Sequence, residues 1–212
     1  MVIIKEPAAT RMERKKEKTK QAIISTAMRL FKEQGVDRTT MEQIAQEVDI
    51  AKATLYNYFP AKEAIIDEYI KRSFAEKYPC RMNEIRNIPD TRARLTYLFR
   101  ELIRGVFDHR EIFAKYLVYR MQIMVSFLPE EDERSGFHLV AAEIIELGRQ
   151  NGEIRADLPP MVLIEFFEFA FIEMVKQLYM STEDIDPGEI VPLYVDLCIN
   201  GMTPAEEENR NG

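Results

Sequence analysis

Seven consecutive positions, Lys52 to Tyr58, carry an ammonium, an alanine methyl, a threonine, two phenols and a carboxamide. This set suits recognition rather than bond-making. The ammonium and the hydroxyls complement anionic oxygens, and the Asn57 carboxamide offers a donor and an acceptor side by side. The methyls of Ala53 and Thr54 can meet another methyl. Leu55 and Phe59 stand four residues apart in the same stretch, which puts both on the opposite face of a helix. The spacing therefore predicts a short helix with an apolar back and a polar, aromatic front.

Such a front must be held at a fixed angle, and the residues before it supply the means. Thr39 and Glu42 have the capping-box spacing, so a helix is expected to start at Thr39. Ile44, Ala45 and Val48 give it one apolar face. At Asp49-Ile50 the chain can turn, because Asp tolerates the left-handed region better than most residues. Pro60 closes the second helix. Two short helices of this kind form a helix-turn-helix, whose second helix enters the major groove of DNA. Lys52, Ala53, Thr54 and Asn57 are expected nearest base edges, where amides read purines and methyls meet thymine. Thr40, Tyr56, Tyr58 and Lys62 are set for phosphates, which fix register rather than sequence. Thr39 completes the expected contact set.

Gly35, Thr39-Thr40, Ile44-Ala45, the string Ala53-Thr54-Leu55-Tyr56-Asn57-Tyr58-Phe59, and Lys62-Glu63 together resemble the TetR family of bacterial transcriptional regulators. The resemblance covers about Gln21 to Ile66. Two positions depart from it. Asp49 stands where Gly is usual in the turn, and Ala51 where Ser often caps the second helix, a loss of about 1 kcal/mol of helix stability. The resemblance implies a phosphate contact at Lys62, an effector pocket in the remaining chain, and dimerisation through the last two long helices packed as a four-helix bundle. It also implies release from DNA by the effector rather than corepression.

The charge divides in the same way. The chain carries −7 overall. Residues 1–62 hold twelve Lys/Arg against eight Asp/Glu, so this head is +4 and the rest is −11. A basic head can hold phosphates while an acidic body stays off them. Residues 1–10 show no periodicity and are expected to fray. The run Arg11 to Lys20 reads either as a solvated helix start or as an arm reaching phosphates or a minor groove. Thr19 to Gln34 reads as an amphipathic helix, with Gly35 just beyond its end.

After the head, a helix is expected from Lys62 to about Tyr78. A loop should lie between Pro79 and Pro89. Further helices are expected over Thr91–Asp108, Glu111–Phe127, Asp132–Gln150, Pro160–Met180 and Pro187–Gly201, followed by a polar tail from Pro204. No strand pattern occurs, so the fold class is all-α: a head over 1–62 and a helical effector-binding and dimerisation body over 63–212.

The stretch Pro160–Met180 is apolar on nearly every side, which a two-fold partner would explain. Phe167, Phe171, Met174, Leu178, Leu193 and Leu197 are expected to form that homodimer contact. Tyr97, Phe107, Phe113, Tyr116, Tyr119, Arg120, Phe137 and Phe166 are the candidates for a small-molecule site, since helical bundles house ligands between helices. Aromatics with Glu would favour a lipophilic cation. Arg100, Arg104 and Arg120 would favour an anion such as an acyl-CoA.

Other chemistry is missing from the sequence. It has no Gly-rich phosphate loop, no G-x-S-x-G, no H-E-x-x-H and no C-x-x-C. Its two histidines, His109 and His138, form no ligand cluster. Asp108 to Glu111 diverge around a helix, so neither metal nor cofactor is expected. Cys80 and Cys198 fit a reduced compartment as inert thiols. Residues 1–4 are too short an apolar run for a secretory signal, and no uncharged apolar run approaches the ~18 residues of a membrane span, so a cytoplasmic protein without a membrane partner is expected. Two rivals remain: a helical small-molecule binder without DNA binding, and a small helical enzyme. The intact Thr39–Lys62 stretch opposes the first. The lack of a nucleophile, base and metal set opposes the second.

Overall fold

The structure, a computed structural model, describes residues 10–126, 135–180 and 186–201. Among these lie nine helices and no strand: α1 (Arg11–Gln34), α2 (Met41–Glu47), α3 (Lys52–Tyr58), α4 (Lys62–Arg86), α5 (Thr91–Asp108), α6 (Arg110–Met124), α7 (Gly136–Gln150), α8 (Pro160–Met180) and α9 (Pro187–Asn200). The expected tails at 1–9 and from 204, with Phe127 and residues 132–134, lie outside the described residues.

Two compact units arise. One contains Met1–Ile70 and Glu111–Phe127; the other contains Lys71–Arg110 and Leu128–Gly212. The cut expected from charge and motif lies at residue 62. By packing, α6 goes with the first seventy residues, because a helix is placed by its faces and not by chain order.

In the first unit α1 begins at Arg11, so of the two readings of the run Arg11 to Lys20 the structure has the exposed start of a helix. Thr10 caps it: its hydroxyl accepts from the Glu13 amide at 3.2 Å, and the Glu13 carboxylate accepts from the Thr10 amide at 2.6 Å. Lys, Arg and Glu are good helix formers that need no burial, so the charge run becomes two exposed turns. Burial starts further on, with Ile23, Ile24, Ala27, Leu30 and Phe31 along one stripe.

The other unit is a bundle around Phe99. Its ring lies 5.4 Å from Phe171 and 6.4 Å from Phe137, and those two rings are 5.9 Å apart. Leu95, Leu98, Val140, Ile144, Phe167, Met174, Val175 and Val191 close the core. The loop expected between Pro79 and Pro89 is instead helix, since α4 runs through Pro79 to Arg86. Met82 and Ile85 are buried and hold the last turns to the core. Pro79 is exposed, so the carbonyl its missing N–H leaves free faces water.

Glu153 ties the loop after α7 to the start of α5. Its carboxylate accepts from the Thr91 amide and hydroxyl, both at 2.6 Å. The Thr91 hydroxyl, more than any other group, holds this carboxyl below its ordinary 4.5. A depressed folded value adds stability above the unfolded pKa that is lost as pH falls through the folded one. Glu153→Gln should therefore be less stable than wild type at neutral pH. Urea midpoints of the two proteins should converge as pH drops below 4.5.

Candidate nucleic-acid interface

The site is built on the loop between α1 and α2. Gly35 takes φ +87°, and Thr39 is completely buried. The Thr39 hydroxyl donates to the Gly35 carbonyl at 2.9 Å and accepts from Gln34 Nε2 at 3.1 Å. It is thus used up inside the loop. The cap of α2 falls one residue later than expected, at Thr40, whose hydroxyl accepts from the Gln43 amide at 3.1 Å. Thr40 is exposed and Thr39 is not.

Between α2 and α3 the chain turns at Asp49, with φ 58°, the one non-glycine residue in the left-handed region among those described. The Ile50 amide donates to the Ala45 carbonyl at 3.0 Å. Ala51 stands at the N-cap of α3 and makes no side-chain cap bond. What fixes α3 is its back: Leu55 is wholly buried and Phe59 nearly so, in the same unit as the buried Ile44 and Ala45. Lys52, Ala53, Tyr56 and Asn57 are consequently exposed, with Thr54 and Tyr58 half-buried beside them. The Asn57 carboxamide has no hydrogen-bond partner among the described residues. The Lys52 ammonium pairs with Glu42 and sits 5.8 Å from the centre of the Tyr56 ring. That hydrogen bond holds the Glu42 carboxyl below its usual range. An outside anion reaching Lys52 competes with Glu42 for its charge.

Lys62 is placed otherwise than expected. Its Nζ donates to the Val36 carbonyl at 2.6 Å and to the Thr39 carbonyl at 2.8 Å. Two of its three N–H groups are spent on the loop that carries Thr40, because the side chain folds back from the first turn of α4. Three other features escaped the sequence reading. Arg38 is exposed beside Thr40, with Nε donating to the Gln34 carbonyl at 2.6 Å. From α6, the Glu111 carboxylate accepts from the Val36 amide at 2.7 Å, and Lys115 pairs with Asp37 at 2.7 Å. A cation next to the cap could have flagged Arg38. No local pattern announces a residue 75 positions away.

The small-molecule candidates scatter. In the first unit, Phe113 and Tyr116 meet with rings 5.9 Å apart, and the buried Arg120 lies 3.8 Å from Asp67; Tyr119 is half-buried on the same helix. In the second unit, Phe137 belongs to the aromatic core, and Phe107 and Phe166 are exposed. The Tyr97 hydroxyl donates to Glu84, and burial above all pushes it up to about 12. Tyr97, with Arg100 and Arg104, lines an open pocket along α5.

The dimer candidates split as well. Phe167, Phe171, Met174 and Leu178 are buried within their own unit, while Leu193 and Leu197 are exposed. The outward apolar stripe of α8 is Met161, Val162, Phe166 and Phe169. The apolar pattern marks a two-faced helix but does not say which face looks inward.

The chain matches the family described as bacterial regulatory proteins, tetR family, over residues 23–69. It is 33% identical over 114 residues to IcaR, the HTH-type negative transcriptional regulator of the biofilm operon icaADBC in Staphylococcus aureus strain Newman, a match covering 53% of this chain and 56% of that one. The chain thus spans little more than half the length of that curated relative. To the HTH-type transcriptional regulator YuxN of Bacillus subtilis strain 168 it is 30% identical over 208 residues, covering 91% of this chain and 67% of that one. Its fold is similar to that of Thermus thermophilus FadR, a TetR-family transcriptional repressor in complex with lauroyl-CoA, with TM-score 0.71 and 22% identity over 91% of this chain and 100% of that one. Bacillus subtilis FadR in complex with stearoyl-CoA gives TM-score 0.60 and 18% identity over 86% and 99%. With a helix-turn-helix built as above, the match to the family over residues 23–69, and a regulator 30% identical along 91% of this chain, the chain belongs to the TetR family of regulators.

Proposed function

We propose that this protein is a cytoplasmic transcriptional repressor that binds a palindromic operator as a homodimer and leaves it when a small molecule binds the body. The observation that carries the reading is the exposed front of α3 on a buried, rigid back. Lys52, Ala53, Thr54 and Asn57 reach base edges. Thr40, Tyr56 and Tyr58 hold phosphates. Thr39 and Lys62 support these contacts from inside the head and are not themselves contacts. Residues 1–62 are the reading head and 63–212 the body. The outward stripes of α8 and α9 are where a second copy packs. FadR relatives of the same fold are seen with lauroyl-CoA and stearoyl-CoA. That makes a long-chain acyl-CoA a better first effector to test than a lipophilic cation.

Selection from random duplex DNA, repeated over a salt series, tests the reading. The expected result is one enriched palindrome with half-sites about a helical turn or more apart, and a steep negative salt slope. A folded dimer that enriches nothing, with or without acyl-CoA, would remove the DNA-binding role. On the selected operator, Asn57→Ala should relax preference at one base position by about 1–3 kcal/mol. Unchanged preference at every position would take Asn57 out of the reading set.

A further inference from the structure

We infer that Glu111 of α6 is a positioning residue for operator binding: it holds the loop that presents Thr40, although it touches no DNA itself. The inference rests on the DNA-binding reading above. Three contacts grip that loop. The Glu111 carboxylate accepts from the Val36 amide at 2.7 Å. Lys62 takes the Val36 and Thr39 carbonyls. Lys115, one turn after Glu111 on the same face of α6, pairs with Asp37 at 2.7 Å. The middle of the loop is therefore bonded on both sides, its N–H to one helix and its C=O groups to another.

Two further observations show a fitted contact. A Cβ at Gly35 would lie 3.1 Å and 3.3 Å from the two carboxylate oxygens of Glu111. The absence of a side chain there lets the carboxylate approach, and φ +87° requires the same residue for a separate reason. Val36 is completely buried while Glu111 is in place, and Glu111 itself is exposed, so on its removal the Val36 N–H exchanges a bond to a carboxylate for one to water. A hydrogen bond to a charged group is worth more than a neutral one, so the exchange weakens the grip on the loop. The Lys115–Asp37 pair is more exposed, with Asp37 at 72%, and contributes less. Glu111 is thus the main grip from α6, and Lys115 the lesser one.

The inference makes a prediction whose sign is unusual. Glu111 is an acid beside a DNA-binding head. If only its charge mattered, removing it would tighten binding to a polyanion. If it positions the loop, removing it weakens binding, while removing only the charge does little.

The test uses the full chain and the operator selected with wild type. Glu111→Ala should weaken operator binding about tenfold, the share of a charge-assisted hydrogen bond expressed in the bound state. It should speed hydrogen exchange of the Val36 amide and leave the salt slope unchanged. Glu111→Gln keeps an acceptor for the Val36 N–H and should restore both affinity and exchange protection. Circular dichroism and thermal unfolding would show that both variants fold. Wild type that selects no operator sinks the DNA-binding reading itself. Wild type that binds, with Glu111→Ala binding as well or better and Val36 exchanging at the wild-type rate, overturns the positioning role alone. Equal weakening by Ala and Gln would also overturn it, since restoring an acceptor for the Val36 N–H would then do nothing for binding.

Discussion

Lys62→Met should destabilise the head by about 1.5–3 kcal/mol and leave the salt dependence of DNA binding where it was. The methionine keeps the apolar stem but has no donor. The carbonyls of Val36 and Thr39, which now accept at 2.6 and 2.8 Å, lose a cation between them. A hydrogen bond to a charged group is worth about 1.5–3 kcal/mol. Two are lost here, but a half-buried site lets water replace part of them. The family resemblance leads to a different result. A lysine on a phosphate, when removed, flattens the slope of log affinity against log salt by about 0.9 and leaves the free protein as stable as before. Chemical unfolding of the free protein and operator binding across a salt series separate the two. A stable variant with a flatter slope would return Lys62 to the phosphate set. A destabilised variant with an unchanged slope would fix it as the brace of the α1–α2 loop.

The contrast at Lys62 shows where sequence reading holds and where it stops. Features set by a few neighbouring residues are legible. Asp49 turns left-handed, Leu55 and Phe59 point inward, Ala51 leaves α3 without a side-chain cap, and α5 and α8 run over the residues their periodicity predicts. Contests between equivalent neighbours are not. Thr39 and Thr40 can each cap α2, and the buried loop around Gly35 takes the first and leaves the second. Pro79 reads as a helix end, yet burial of Met82 and Ile85 outweighs one missing hydrogen bond. Long-range partners leave no mark at all. Nothing near Val36 names Glu111, and nothing near Lys62 says that its ammonium turns back onto the head. The recognising front was therefore readable, but not the parts that hold it in place.

Phe171→Ala and Phe169→Glu should fail in opposite ways, although the two residues are neighbours on α8. Phe171 is 7% exposed and packs on Phe99 and Phe137. Removing it from a filled core costs about 3–5 kcal/mol, so the variant should unfold at much lower denaturant. Phe169 is 49% exposed, on the same outward stripe as Val162 and Phe166. Its replacement by Glu costs the subunit's own fold little. In a two-fold dimer the same change occurs twice. Each copy loses the burial of a large side chain, about 1.5–3 kcal/mol. Each also brings a carboxylate to an apolar contact. The dimer constant should weaken by at least about a hundredfold, which two such losses exceed on the scale of 1.4 kcal/mol per factor of ten. Sedimentation across a concentration series would then show folded monomers, and operator affinity would fall because one head alone reads one half-site. The expected contact through Phe167, Phe171, Met174 and Leu178, the α8 part of the set named with Leu193 and Leu197, requires the reverse. In that case Phe171→Ala would give stable monomers and Phe169→Glu would stay dimeric. The physical ground for the first outcome is that a side chain already inside its own subunit has no surface left to offer a second one.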